Sequence, residues 1–514
     1  MGTLDFFRCR LDAMIDLRHP LAVLTSRLPW GEIEASLAPL FLHEDRSGQV
    51  TEEVDLFGAS VALAGAGVSN AGRPRLSIRL MASLLYLKNS HDLSDEELVE
   101  RWSENVVWQF FSGLEYYEPR LPCDATQIGR FRTAIGEAGM EQLLKFTIET
   151  AVGIEAVKPA EFERIIVDTT VQEKAIAHPV DSRLLEIARH KVVAAAKRAG
   201  IALKQTFAKE GKELRRKAGG YAHAKQFKRM GKAVKRQRTI LGVVMREVQR
   251  KLDTQAQALA CGSAHAGVPS SPKAISDLLT LLERAERIRT QQRHDKNKLY
   301  ALHAPEVECL AKGKARKPYE FGVKVSLAVT HKQGLLVGAK SFPGNPYDGH
   351  TLADQLEQTN KLLENIGVKP ATVVVDMGFR GVDEEVAPVN LIHRGKHKTL
   401  TSQERRWLKR RQAIEPMIGH AKSDNRMDRC WLKGALGDAL HALSCAVGYN
   451  IRWLLRAIMR LGIRLVFLRL LFVTVIARIR SKSLSATLSV SHASFCHQAT
   501  GVSCARIDPC FGLI

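Results

Sequence analysis

The chain is 514 residues long, enough for two or three domains and a sizeable core. With 45% apolar residues it reads as globular, and 76 Lys and Arg against 54 Asp and Glu leave a formal charge of +22. That excess favours a polyanionic partner, most simply nucleic acid, although a ribosomal or membrane-surface protein would share it. Nine cysteines, an odd number with no C-x-x-C pair, argue against a disulfide framework or structural zinc. The group Cys496, His497, Cys504 and Cys510 lacks zinc spacing too.

The opening MGTLDFFRCRLDAM has no basic region followed by an apolar run, so no signal peptide is expected, and its sixth residue is not the Ser or Thr of a myristoylation signal. Residues 1–75 read as an N-terminal segment ending in the linker-like ASVALAGAGVSNAG. Residues 76–150 read as a helical domain. It contains LSIRLMASLLYLKN, a capping box at Ser94-x-x-Glu97 ahead of LVERWSENVVWQFFSG, and a third helix over Ala125–Glu149 with Arg130 and Arg132 near its start. Anchored by Trp102, Trp108, Phe110 and Phe111, these helices suit a DNA-binding bundle or a plain packing domain equally.

In FERIIVDTT a hydrophobic run stops on Asp168, as a buried strand ending at a sheet edge would, and Thr169–Ala177 is expected to return as a second strand. Residues 181–314 are helical and basic. Between Arg189 and Lys251 there are 20 Lys and Arg against three acids (Glu210, Glu213, Glu247), a local excess of 17. This predicts an arm lying along phosphates, with Lys225, Lys228, Arg229, Lys232, Lys235 and Arg236 as its DNA contacts. Gly219-Gly220 is expected to break it into two helices, and Leu278–Tyr300 to add another.

Strands resume with YEFGVKVSLAVT and GLLVGAKSF, joined by a hairpin at His331–Gly334. A helix is predicted over Asp348–Ile366. ATVVVDMGF is a second apolar run halting on an acid, Asp376, and VNLIHR is a short strand after it. Thr401–Lys422 reads as one basic helix carrying Glu415, and Leu436–Ile458 as another within a C-terminal helical segment, 431–480. The apolar stretch Leu454–Ile479 is interrupted by Arg456, Arg460, Arg464, Arg469 and Arg478, so a buried or amphipathic helix is expected and no membrane span. Residues 481–514, Ser- and Cys-rich without periodicity, read as a poorly ordered tail or as sequence not selected to fold.

Two apolar strands that stop on Asp, followed by a helix bearing a Glu, suit two-metal phosphoryl transfer. Hard cations prefer carboxylate oxygens, and two ions close together activate the attacking oxygen and stabilise the leaving one. Asp168, Asp376 and Glu415 are therefore the expected ligands of two Mg²⁺ or Mn²⁺ ions. A lone strand-terminal Asp is more often a helix cap. The combination of three with a strongly basic arm carries the argument.

The segment RRWLKRRQAIEPMIGHAK leaves three residues between Arg411 and Glu415 and six between Glu415 and Lys422. This resembles the C-terminal signature (Tyr, two residues, Arg, three residues, Glu, six residues, Lys) of the insertion sequence 5 group of bacterial transposases, within the DDE class. Leu408 stands where the group has its tyrosine. IIVDTTVQEKAI, VVVDMGFRG, GNPYDGHTL and HRGKHK also look like this group, over roughly residues 70–460. The resemblance implies an α/β fold with a ribonuclease H-like catalytic core over 160–180 and 315–430, interrupted by the basic helices of 181–314. It implies catalytic roles for Asp168, Asp376, Glu415, Arg411 and Lys422. The expected partners are double-stranded DNA, as transposon terminal inverted repeats and as target, and further copies of the chain assembled on it. A cytoplasmic, nucleoid-associated place follows from that.

On an unbroken helix Arg411, Glu415 and Lys422 share one face, and Arg405, Arg406, Lys409 and Arg410 exceed the partners one Glu needs. These, with Lys396 and Lys398, are expected to face phosphate. Two rival readings stand beside this one: a nuclease of the same fold that never joins ends, and a non-catalytic or decayed basic DNA-binding protein.

Overall fold

The computed structural model describes residues 9–41, 76–260, 271–292, 294–296, 298–311, 318–396 and 398–462, with the backbone of 52–54 and 60–62. The expected tail at 481–514, the Cys496–Cys510 group and the end of the Leu454–Ile479 stretch lie outside the described residues. Residues 1–455 and 456–514 form two units, the second described only over 456–462.

The N-terminal part contains α1 (Leu11–Met14), α2 (Pro20–Arg27), α3 (Trp30–Leu37), an antiparallel pair β1 (Glu52–Val54) and β2 (Ser60–Ala62), then α4 (Ile78–Ser90), α5 (Asp95–Glu104), α6 (Val106–Phe111) and α7 (Ala125–Gly153). β2 falls inside the expected linker, whose later residues lie outside the described ones. The Ser94–Glu97 capping box is present and starts α5. The helix expected through to Phe111 is broken at Asn105, whose side chain accepts from Trp108 N and caps α6. Trp102, Trp108 and Phe111 are buried, and Arg132 is buried against Asp95 at 2.8 Å, with Lys88 on the same carboxylate at 2.6 Å. These aromatics and this charge cluster hold the helices together.

A six-stranded sheet follows, built from β3 (Arg164–Glu173), β4 (Glu308–Ala311), β5 (Tyr319–Thr330), β6 (Leu336–Phe342), β7 (Thr372–Val374) and β8 (Asn390–Ile392). β5 pairs antiparallel with β4, β6 and β3, while β7 lies parallel to β3 and β8 parallel to β7. β3 is thus central. Ile165, Ile166 and Val167 are all fully buried, a continuous apolar run because both faces are covered. The strand does not stop at Asp168, and no second strand returns. It continues through the β-branched Thr169, Thr170 and Val171, paired with β5 as far as Glu173.

The sheet is covered by α12 (Leu352–Leu362), which packs on β5 and β6, by α14 (Ile414–Ser423), which follows α13 (Ser402–Arg410) and packs on β3, and by α15 (434–462). Asn450 of α15 donates to Leu336 O and Thr147 Oγ1 and accepts from Leu336 N, so one buried amide ties α15 to β6 and α7. Just past β3, the buried Lys174 ammonium reaches Asp438 at 2.7 Å and Glu306 at 3.0 Å.

Between β3 and β4 run α8 (Asp181–Arg198), α9 (Ala208–His223), α10 (Phe227–Ala260) and α11 (Pro272–Thr290). They enclose a core of their own that includes Leu185, Val192, Leu241, Val244, Leu278 and Leu282. The break between α9 and α10 is not at Gly219-Gly220, which lie within α9. It falls at Lys225, in a left-handed conformation with φ 54°. Arg189, counted with the basic arm, is buried and fastened to Glu186 at 2.7 Å.

His441 on α15 is buried, and its Nε2 donates to Arg426 O at 2.9 Å. Burial pushes its imidazole down to about 4. The unfolded chain takes up a proton near pH 6.5 and the folded one does not, so the stability this ring contributes is complete above about pH 6.5 and is lost as pH falls toward 4. We predict that His441→Gln, which keeps a donor for Arg426 O, removes about 1.4 kcal/mol per pH unit from the slope of unfolding free energy between pH 6.5 and 5. Denaturant titrations across that range check it, and an unchanged slope refutes it.

Candidate active site

The pleat of β3 and the register of β7 fix two of the three expected acids. Ile166 faces Val374 in the parallel pairing, and Asp168 and Asp376 each lie two residues further on. Two residues preserve the side along a strand, so the pleat and register bring Asp168 and Asp376 to the same end of adjoining strands. β7 has ended by Val374, and Asp168 is half-buried. Asp168 Oδ1 accepts from Thr169 N at 2.8 Å. Asp376 caps the turn Met377–Phe379, with Oδ1 accepting from Gly378 N at 2.8 Å.

The third acid arrives on a broken helix. Thr401 and Glu404 form a capping box that starts α13, but helix geometry tightens to a 3₁₀ turn at Arg411–Ala413 before α14 resumes. Pro416 explains the break. It has no N–H to donate and its ring crowds the carbonyl four residues back, so it is tolerated only in the first turn of a new helix. Glu415 sits immediately before it.

The break preserves the link between Arg411 and Glu415 and separates Lys422 from both. Arg411 Nη1 donates to Asp168 Oδ2 at 3.4 Å, and its Nη2 lies 3.8 Å from Glu415 Oε1. One guanidinium therefore joins the first and third acids. Lys422, two turns beyond Glu415, instead pairs with the buried Glu320 of β5 at 3.7 Å.

α13 is anchored to the β5–β6 hairpin. Arg410 donates to His331 O at 2.8 Å and Lys332 O at 2.6 Å, His331 Nε2 lies 3.1 Å from Trp407 O, and the Arg164 guanidinium lies over the Trp407 ring, 3.4 Å from its centre. Burial, and after it the neighbouring Arg164 and Arg410, hold the His331 imidazole below its ordinary value. Arg410 is thus tethered to the hairpin while remaining exposed. Arg394, Arg405, Lys409 and Arg411 line a cleft of about 510 Å³ together with Asp376. Arg406 is exposed on α13, as is Lys398 nearby, whereas the side chain of Lys396 lies outside the described residues.

One carboxylate was missed. Asp348, seen in the sequence only as a helix start, accepts from Thr169 Oγ1 at 3.0 Å and from Lys324 Nζ at 2.8 Å. A Cβ added at Gly378 would stand 2.7 Å from Asp348 Oδ2 and 3.0 Å from Asp376 Oδ1, so both carboxylates close on one backbone point. Gly349 permits this approach, because a side chain there would meet Gly381 O at 1.7 Å. GNPYDGHTL held the signal, an acid between two turn formers, but nothing in it showed what the turn would meet.

Away from this site, Lys225, Lys228, Arg229, Lys232, Lys235 and Arg236 are all exposed at the α9–α10 junction and on the first turns of α10. Arg236 shares its charge with Glu210 at 2.7 Å. Among the described residues no group of three or more His, Cys, Asp or Glu is already gathered to hold a metal ion, and none of the helices is long and apolar enough to cross a membrane. The expected ligands Asp168, Asp376 and Glu415 are nonetheless all carboxylates, the kind of donor a hard divalent cation takes.

Comparison with known proteins agrees with this chemistry. Residues 9–134 match the family model "Transposase domain (DUF772)", and residues 287–451, which include Asp376 and Glu415, match "Transposase DDE domain". The chain is 41% identical over 226 residues to "Uncharacterized protein ORF8 in nfe locus" of Rhizobium meliloti, covering 44% of this chain and 96% of that protein. No solved structure matches. The chain belongs to the DDE transposases.

The Asp348–Lys324 pair gives a structural test. Asp348→Asn should leave the Lys324 ammonium without its charged partner and cost about 1–3 kcal/mol. In a double-mutant cycle with Lys324→Met the two changes should couple by about 0.5–3 kcal/mol, whereas additive costs in denaturant unfolding refute the interaction.

Proposed function

We propose that this chain is a transposase of the insertion sequence 5 group that cleaves DNA at transposon ends and joins the freed 3′ ends to target DNA. The observation that carries the reading is the Arg411 guanidinium that reaches both Asp168 and Glu415, with Asp376 two residues past the strand paired with β3. The Arg411, Glu415 and Lys422 spacing supports the group assignment. A ribonuclease H-like core is supported by the sheet: β6, β5 and β3 antiparallel, then β7 and β8 parallel to β3, with the acids on the central strand, after its parallel neighbour, and on a helix that follows. On this reading 160–180 and 315–430 form the core. The helices of 181–314 are an insertion, which their separate hydrophobic core supports.

Asp168, Asp376 and Glu415 would hold Mg²⁺ or Mn²⁺. Bound there, the ions would lower the pKa of an attacking water and stabilise charge on the leaving 3′ oxygen. Arg394, Arg405 and Lys409 would grip phosphates beside the scissile bond, giving the bidentate or point-charge contacts that fix an in-line geometry. Asp348 and Lys324 would steady Thr169, and through it Asp168. The exposed cations from Lys225 to Arg236 would track the duplex backbone. Cutting two ends together calls for more than one copy on the DNA.

On a duplex ending in the element's own terminal repeats with Mg²⁺, Asp168→Asn and Glu415→Gln should each lose cleavage by more than the roughly 10–100-fold typical of an outer-shell change while DNA binding persists. Unchanged cleavage in either variant removes that residue from the site. Joined products from the native chain separate a transposase from a purely hydrolytic nuclease. Neutralising Lys225, Lys228, Arg229, Lys232, Lys235 and Arg236 together should flatten the salt dependence of binding by roughly 0.9 log unit per lost phosphate contact, and a native slope would mean the arm lies off the DNA.

A further inference from the structure

We propose that Arg411 is an exchangeable cation that holds Asp168 and Glu415 together until metal replaces it and DNA phosphate takes it up, so that metal and DNA bind cooperatively through one side chain. The inference rests on the metal-site reading above and adds regulation to it.

The guanidinium approaches both carboxylates but grips neither well. Its contacts of 3.4 Å and 3.8 Å exceed the roughly 2.7–2.9 Å of a strong charge-assisted hydrogen bond. A Mg²⁺-sized ion requires its oxygens at about 2.0–2.1 Å, so the same two carboxylates cannot close on the ion while the guanidinium lies between them. Occupancy is exclusive. Arg411 also lines the cleft with Arg394, Arg405 and Lys409, so a modest change of rotamer suffices to turn its fork from carboxylate to phosphate. Glu415 is 66% exposed and is not locked by packing, while Arg411 keeps 20% exposure on the cleft side. The 3₁₀ turn that carries Arg411 separates it from the anchored α13, where Arg410 is fixed to the hairpin. Phosphate that withdraws Arg411 removes one positive charge from beside both carboxylates, which raises their affinity for a divalent cation. By linkage, the cation must raise the affinity for DNA equally.

The test is calorimetric titration of the full chain with Mn²⁺, with and without a duplex oligonucleotide whose own Mn²⁺ uptake is subtracted. Without DNA, Arg411→Gln should bind Mn²⁺ at least about fivefold more tightly than the native chain, while Lys409→Gln, which removes the same charge from the same cleft, should change affinity by less than about twofold. Arg411→Lys, a point charge that cannot span both acids, should fall between native and Gln. Duplex DNA should tighten Mn²⁺ binding in the native chain and not in Arg411→Gln. An affinity in Arg411→Gln no higher than native, or an equal gain in Lys409→Gln, overturns the proposal. Asp168→Asn separates the two readings. If it leaves Mn²⁺ binding intact, the metal site itself is misplaced. If Mn²⁺ binding depends on Asp168 but is indifferent to Arg411, only the exchange fails.

Discussion

The short parallel ladder between β3 and β7 is the constraint on which the site depends. It covers three residue pairs and then stops, while β3 runs on along β5. The unpaired edge it leaves is the opening in which Asp168 stands. Because side chains alternate along a strand, a slip of one residue would send Asp376 to the opposite face. The fully buried Ile165, Ile166, Val373 and Val374 oppose that slip, since close packing on both faces fits each side chain to its own side. Apolar packing, not any contact between the acids, sets their spacing.

The two aspartates are held differently. Asp168 belongs to a strand bonded along its length, and its neighbour Thr169 is tied to Asp348. Asp376 stands on a short turn capped by its own side chain, and Glu415 in the first turn of α14, just before Pro416. One fixed carboxylate and two adjustable ones suit a centre that must accept different phosphates in succession.

Much of this was legible in the residues. The apolar runs before Asp168 and Asp376 gave the strands, and the alternation in YEFGVKVSLAVT and GLLVGAKSF gave the hairpin. Where the reading failed, local signals had been weighed wrongly or tertiary contacts decided. The β-branched Thr169–Val171 run should have extended β3, and Pro416 should have broken the helix at 401–422. Gly219-Gly220 stays helical because glycine weakens a helix without breaking it, and the adjoining Ala218 is buried. The tethering of Arg410 to the β5–β6 hairpin, and the meeting of Asp348 with the Asp376 loop, depend on residues distant in the chain, which composition and spacing do not reveal.

The separate core of α8–α11 has a consequence for how the molecule assembles. β3 and β5 cannot pair until everything between Glu173 and Tyr319 has been gathered in, and pairing across so long a loop is slow when the loop is loose. The four helices close on one another, α8 packing against α9, α10 and α11, so their collapse as a unit brings the two strands within reach. A cavity cut at Leu241 or Val244, inside that core, would therefore delay completion of the sheet even where the finished structure is unchanged.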